Sequence, residues 1–391
     1  MSHRPKINNP DAKMLKVLVA PLDWGLGHAT RCIPIIKELI NQGCTVIIAA
    51  GGRQKALLQE EFPSLRFVEI PGYHIKYGKN RALTVFRLLV STPKILIRVK
   101  QENRWLRRFS RTEQPDLVIS DNRYGLYRRG IICVFITHQL AIKSPFGALA
   151  DRLLQKINYS AIRRFTCCWV PDIAGVDSLA GELSHPRKMP SIPTRYIGWL
   201  SRFGMAMQEN AGTMGTNEKI VIDYDLLVLL SGPEPQRTIL ENLLLEQVAG
   251  CQYRVVVVRG LPGGGKPLNF TSGFPIHDHL SAAALGALIR RSEVVLSRPG
   301  YSTAMELVQL RKKAIYIPTP GQTEQEYLGK YLMEKGLAIC LEQRAFLLEG
   351  ALSRARGLPG DWWASSRGLL ENEIKVLLNR ARSSVAWRAG E

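Results

Sequence analysis

The chain has 391 residues, 46% hydrophobic and 22% charged, with a formal net charge of +20 and a pI near 9.8. That length exceeds one ordinary core and predicts two domains, and the composition excludes a disordered or fibrous chain. No run approaches the ~20 apolar residues of a membrane-spanning helix, the polar start lacks a signal-peptide core, and seven scattered cysteines without metal-ligand spacing predict reduced thiols in a cytoplasmic compartment.

In chain order, Leu15 to Ala20 reads as a buried strand. The loop Gly25-Leu26-Gly27-His28 follows, then an amphipathic helix to Gln42, and Thr45 to Ala50 as a second strand. This is a βαβ opening without the full G-x-G-x-x-G dinucleotide fingerprint. Pro34 lies inside the helical run and predicts a kink, or a regular start delayed to Ile33. Residues 64 to 70 give a third strand. The segment Tyr73 to Arg111 then carries eleven basic side chains against the single acid Glu102, interleaved with apolar residues. Two readings stay open for it: a face lying on anionic lipid, or a solvated basic helix packing its apolar side on the sheet. Three short strands follow, each with polar residues at its carboxyl end: Leu117 to Ser120 before Asp121, Cys133 to Thr137 before His138, and Cys168 to Val170 before Asp172. In an α/β sheet these ends rim the ligand crevice.

Tyr196 to Gly198 closes the first half, residues 14–202. Residues 203–219 read as a polar linker, and 220–361 as a second domain of the same strand–turn–helix rhythm. Its first strand, Leu226 to Leu230, ends in a loop with Gly232. The glycine run Gly260 to Gly265 lacks P-loop spacing. Residues 362–391 predict a helix packing back on the first domain.

The richest stretch is Ser297 to Glu326. A strand, Glu293 to Leu296, meets the turn Pro299-Gly300, and a helix follows whose N-terminus opens onto that turn. Unpaired N–H groups and the helix dipole make such a place an anion site. Thr303 and Glu306 also fit a capping box. A second strand, Ala314 to Ile317, ends in a loop carrying Gln322, Glu324, Gln325 and Glu326.

The pattern Arg298-x-Gly300-x-x-Thr303-x-x-Glu306, then a strand and a Gln-rich loop, resembles the carboxyl-terminal domain of glycosyltransferase family 28. Gly25-x-Gly27-His28 resembles the first glycine-rich loop of the same enzymes. The resemblance implies an α/β fold of GT-B architecture, two Rossmann-like domains facing across a cleft. It implies inverting, metal-independent transfer of a sugar from a nucleotide-sugar donor, a UDP-sugar first among them, to a glycan or lipid-linked acceptor hydroxyl. No cofactor and no nucleic-acid partner are implied. The protein would be cytoplasmic and peripheral on the inner face of the membrane. By resemblance, Arg298, Gly300, Tyr301, Ser302, Thr303, Glu306, Gln322, Gln325 and Glu326 face the donor, with Glu306 on the ribose hydroxyls. Gly25, Gly27 and Gly232 shape the glycine-rich loops. His28 is the expected base by its intrinsic pKa, with Asp121 in reserve. Two rivals remain: a nucleotide-sugar hydrolase of the same fold, and a non-catalytic basic membrane-binding protein. Asp223-x-Asp225 suggests metal ligation but leads into the first strand of the second half, on the wrong edge for a ligand, and His277-x-His279 lacks a helical i, i+4 pair or a third ligand nearby, so no metal is expected.

Overall fold

A computed structural model describes residues 14–73, 81–203, 221–265, 267–268, 273–359, 366 and 368–389, with the side chains of 81–92 and 384–389 left aside. The linker 204–219 and the pair Trp362-Trp363 lie outside the described residues.

The first half is a parallel sheet of seven strands: β1 (Lys16–Pro21), β2 (Thr45–Ala49), β3 (Arg66–Val68), β4 (Leu117–Asp121), β5 (Ile132–Ile136), β6 (Cys167–Val170) and β7 (Thr194–Tyr196), in the order β3-β2-β1-β4-β5-β6-β7. Helices α1 (Leu26–Asn41), α2 (Gly52–Glu61), α3 (Arg81–Thr112) and α4 (Ala148–Ile162) connect them. The second half is a parallel sheet of β8 (Tyr224–Leu229), β9 (Val255–Val258), β10 (Ile276–His277), β11 (Ser292–Ser297), β12 (Lys313–Tyr316) and β13 (Ala338–Cys340), in the order β10-β9-β8-β11-β12-β13. Its helices are α5 (Gln236–Val248), α6 (Ala282–Arg290), α7 (Tyr301–Gln309), α8 (Thr323–Glu334) and α9 (Leu348–Arg356), and α10 (Leu369–Ala389) follows. The central strands are runs of Val, Ile and Leu buried on both faces, as a parallel sheet covered by helices requires.

Strand order reverses between β1 and β4 in the first sheet, and between β8 and β11 in the second. Chains leaving neighbouring strands in opposite directions open a crevice at these points. His28 follows β1 and Asp121 ends β4, in register with Pro21. Gly232 follows β8 and Gly300 follows β11. Both glycine turns therefore stand at the crevices of their sheets.

One hydrophobic cluster joins the halves. It includes Ile33, Ile36 and Leu39 of α1, Tyr301, Ala304 and Met305 of α7, and Ile374, Leu377, Leu378 and Ala381 of α10. Helix α1 packs on α7 and on α10. Each fully buried aliphatic side chain contributes about 1.5–3 kcal/mol.

Two expectations are corrected, on Pro34 and on the capping box, and one of the two readings of the basic segment gains support. Helix α1 runs unbroken from Leu26 through Pro34 to Asn41. The proline costs about 3 kcal/mol, and burial of Ile33, Ile35, Ile36 and Leu39 outweighs it. Helix α7 begins at Tyr301 with Gly300 as N-cap and no side-chain cap, so Thr303 and Glu306 form no capping box. The basic segment is a helix over its described part, and its last turns pack inward: Leu106 and Phe109 are buried, Trp105 stacks on Phe109 at 5.0 Å, and Glu102 is fully buried. Glu102 is no surface acid. It accepts from Arg123 at 2.6 Å, Tyr73 at 2.7 Å and the Gly125 amide at 3.1 Å, tying α3 to the loops after β3 and β4.

Candidate active site

The two glycine turns meet. Ser302 Oγ donates to the Gly27 carbonyl at 2.8 Å across 275 residues of sequence. A Cβ at Gly27 would lie 3.0 Å from that Oγ, so the approach depends on glycine there. Gly25 caps α1 at a φ of +94°, which a side chain would oppose. Neither α1 nor α7 has a side-chain cap, so the first N–H groups of each remain available to an anion.

Behind the first turn stands a compact polar cluster. Asp121 is fully buried and accepts from Arg31 Nε at 2.9 Å. Arg31 Nη2 makes a second, shorter contact with the same carboxylate. His28 Nδ1 lies 2.9 Å from Asp121 Oδ2 and 2.8 Å from Arg31 Nη2. A protonated Nδ1 donates to Asp121, and a bare one accepts from Arg31. Burial by itself would raise the Asp121 pKa, but Arg31 and His28 outweigh it and hold the carboxyl below its usual range. Burial, then the charge of Arg31, lowers the His28 pKa against the opposing pull of Asp121. The His28 side chain keeps 15% exposure while Asp121 has none. The imidazole is thus the member of the pair that reaches the cleft, and Asp121 stands behind it.

The cluster continues into the second half. Arg31 Nη1 is 3.3 Å from His138 Nδ1, and His138 Nε2 is 2.7 Å from Glu324 Oε1 at the start of α8. The His138 ring stacks on Tyr301 at 4.2 Å, and the Tyr301 hydroxyl donates to the Pro171 carbonyl at 2.7 Å. Burial opposes ionisation of Glu324, but His138 outweighs it and keeps the pKa low. Thr323 Oγ1 donates to the Lys143 carbonyl at 2.8 Å.

The expected donor residues fall into two sets. Gly300, Tyr301, Ser302 and Thr303 form the turn and first helical positions facing the first half. The side chains of the others are engaged by protein groups. Arg298 is buried and donates to the carbonyls of Ile317, Pro318 and Gln236 and to the Gln343 amide oxygen, and burial lowers its pKa to about 9. Glu306 is buried and pairs with Arg202 at 2.8 Å. Gln322 caps α8 at the Gln325 amide, Gln325 accepts from the Thr319 amide, and Glu326 accepts from the Gly321 amide. These three side chains brace the loop after β12. Gly232 turns the loop after β8 at a φ of +105°.

Sequence reasoning placed His138 at the crevice but missed its pairing with Glu324, the tie of Arg31 to Asp121, and Arg202. Arg31 stands three residues after His28 on one helical face, which was a readable signal. The pairing of His138 with Glu324 and of Arg202 with Glu306 is set by how the halves meet and leaves no local mark. Among the described residues no group of three His, Cys, Asp or Glu side chains could hold a metal. Asp225 pairs with Arg254 and Arg356, and Asp223 with Arg291, away from the crevice edge. Asp278 pairs with Arg259 at 2.6 Å and accepts from the Gly265 amide.

Comparison with known proteins agrees with this geometry. Residues 275–354 match the model of the glycosyltransferase family 28 C-terminal domain. Over 353 residues the chain is 31% identical to an uncharacterized glycosyltransferase of Methanosarcina acetivorans, covering 82% of this chain and 84% of that one. The glycosyltransferase SnogD of Streptomyces nogalater superposes with a TM-score of 0.59 at 16% identity, over 94% of this chain and 100% of the other. The calicheamicin glycosyltransferase CalG4 superposes with a TM-score of 0.56 at 13% identity, over 95% of each chain. At these identities the structural likeness is one of fold, the GT-B architecture.

Proposed function

Since the chain belongs to the glycosyltransferases with a family 28 carboxyl-terminal domain, we propose that it transfers a sugar with inversion from a nucleotide-sugar donor, a UDP-sugar first among them, to an acceptor hydroxyl. One observation carries the reading: the donor turn at Gly300 to Thr303 touches the acceptor-side turn at Gly27, one residue from an imidazole backed by a buried carboxylate.

The donor diphosphate sits at the start of α7, where unpaired N–H groups and the helix dipole offset the charge that develops as the sugar–phosphate bond breaks. This needs no metal. His28, with Nδ1–H donating to Asp121, presents Nε2 to the acceptor hydroxyl and takes its proton as the new bond forms. Asp121 fixes the ring and its tautomer. Arg31 fixes Asp121. Glu306 offers its carboxyl oxygens to the ribose hydroxyls; burial raises its pKa, and the paired Arg202 offsets that only in part. The acceptor is a glycan or a lipid-linked saccharide.

The test is turnover of a panel of nucleotide sugars with and without a saccharide acceptor, with calorimetric binding of the nucleoside diphosphate alongside. Acceptor-dependent release of nucleoside diphosphate supports transfer. Release at the same rate without acceptor makes the enzyme a hydrolase, and absence of nucleotide binding sinks the reading.

A further inference from the structure

Helix α8 lies on the first half by one face. Every fourth residue from Thr323 to Lys335 bonds a loop of that half. Thr323 Oγ1 donates to the Lys143 carbonyl, the Tyr327 hydroxyl accepts from the Glu182 amide at 2.8 Å, the Tyr331 hydroxyl donates to the Ser178 carbonyl at 2.9 Å, and Lys335 Nζ donates to the Val176 carbonyl at 3.0 Å. The first turn of the same helix carries Glu324, 2.7 Å from His138 Nε2. An ionised carboxylate only accepts, so His138 Nε2 carries a proton. Arg31 only donates, so His138 Nδ1, 3.3 Å from Arg31 Nη1, is bare. One tautomer of His138 satisfies both neighbours. With Nη1 held there, Arg31 turns Nε and Nη2 to Asp121, and Asp121 accepts the Nδ1 proton of His28. Cys32 Sγ, 3.9 Å from Asp121, and Tyr301, stacked on His138, are further titratable groups packed on this chain, and burial keeps both protonated. His28, Arg31, Asp121 and His138 belong to the first half. Glu324 comes from the donor half, beside Gln322 and Gln325.

We propose that Glu324 is a positioning residue for the base of the opposite half: it sets the tautomer of His138 and, through Arg31 and Asp121, aims His28, so that the base is assembled only when the donor loop is seated against the first half. The proposal rests on the transferase reading. When the cleft opens, Glu324 withdraws with α8, and His138 can carry its proton on either nitrogen. Arg31 Nη2, 2.8 Å from His28 Nδ1, then donates to a bare Nδ1. The ring proton sits on Nε2 in that state, and the nitrogen facing the acceptor cannot take another. Tying the base to the seating of the donor loop protects the nucleotide sugar from water until the halves have closed.

The full chain is compared as wild type, Glu324→Ala, Glu324→Gln and Thr323→Val. For each, kcat, KM for donor and nucleoside diphosphate affinity are measured between about pH 5 and 8, the window in which an imidazole titrates. The Glu324 side chain is 24% exposed, so folding should survive, and circular dichroism checks it. Thr323→Val removes an inter-half bond one residue away and leaves the chain to His28 intact. We expect Glu324→Ala to lower kcat by about 10–100-fold, the scale set by partners that orient a functional histidine, with donor KM and nucleotide affinity unchanged. The acid limb of kcat should move to lower pH, because loss of a nearby carboxylate disfavours the imidazolium of His28. Glu324→Gln should recover part of kcat, since its amide oxygen still accepts from His138, while the acid limb stays displaced. Thr323→Val should match wild type in both. Wild-type kcat and pH profile in a folded Glu324→Ala or Glu324→Gln variant overturn the proposal. An equal loss in Thr323→Val also overturns it, because any tie between the halves would then suffice. A loss of nucleotide affinity or a rise in donor KM as large as the loss of kcat overturns it too, by making Glu324 a donor contact. These outcomes leave the transferase reading standing as long as wild-type release of nucleoside diphosphate requires acceptor. A wild type that binds no nucleoside diphosphate overturns both.

Discussion

Asp121→Asn separates the two jobs the buried carboxylate performs. The substitution is close to isosteric, so its cost is electrostatic. Arg31 is 2% exposed and directs both Nε and Nη2 at Asp121. Leaving a buried charge unpaired costs about 3–5 kcal/mol. The asparagine oxygen can still accept one bond, which places the expected loss near the lower end. At about 2–4 °C per kcal/mol for domains of this size, melting should fall by roughly 6–12 °C. The chemical effect is separate. An asparagine amide that donates to His28 Nδ1 forces the ring proton onto Nε2, and the nitrogen facing the acceptor can no longer take a proton. Turnover should drop by about 10²–10⁴-fold, the usual contribution of a positioned base. Nucleoside diphosphate affinity should not change, because Asp121 touches only the first half and the His28 cluster. Melting by circular dichroism, initial rates at saturating donor and calorimetric affinity read the three quantities independently. Near-normal turnover in a folded variant would refute the orienting role. A matching loss of nucleotide affinity would place the cluster in the donor site instead.

Other outcomes follow from the same geometry. His28→Ala should lower turnover by about 10²–10⁴-fold while nucleotide affinity measured by calorimetry stays within twofold. Because the His28 pKa lies below 6.5, wild-type turnover should hold down to about pH 6.5 and fall only below it. The same shift makes the unfolded chain bind more protons than the folded one below pH 6.5, so this residue's contribution to stability is lost as pH falls through that window, which melting curves would register. Glu306→Ala should weaken nucleoside diphosphate binding by about 1–3 kcal/mol and also lower the melting temperature, since Arg202 loses its partner; a lower melting temperature with unchanged affinity would leave Glu306 as a tie to Arg202 alone. Gly27→Ala should press a methyl group against Ser302 Oγ, 3.0 Å away, and raise KM for donor with little effect on stability; an unchanged KM would mean that the turns need not touch during turnover.

The fold was legible where periodicity and turn chemistry coincide. The strand at Leu15 and the strand at Glu293 are compact apolar runs followed by glycine turns, and such runs declare buried parallel strands. His28 was legible for the same reason, being the polar residue that a glycine turn delivers to the end of the first strand. The rest required three-dimensional information. Glu306 sits at capping-box spacing from Thr303, yet α7 starts two residues earlier and leaves Glu306 for Arg202, a partner 104 residues away. Glu102 stands alone among eleven bases and looks like a solvated acid. It is buried because Arg123, after a different strand, supplies the charge that makes burial tolerable. Composition showed a basic, apolar segment at 73–111, but not that its described end buries Leu106 and Phe109 while Leu96 and Ile97 stay exposed. Which apolar face meets water depends on what covers it, and no window of sequence contains the cover.

Helix α10 has a consequence for how the protein is made. Its Ile374, Leu377, Leu378 and Ala381 share a buried cluster with α1 and the first sheet, while the whole second half lies between them in sequence. The first half therefore leaves the ribosome without one wall of its core. At about 5–20 residues per second, the interval between Tyr196 and Ala381 is roughly 10–40 s. During that time the side of α1 that α10 will cover presents aliphatic surface to water and to other nascent chains. Fragments ending after β7 should accordingly be prone to self-association, and a chaperone that binds short apolar stretches would find its target on α1 until α10 arrives.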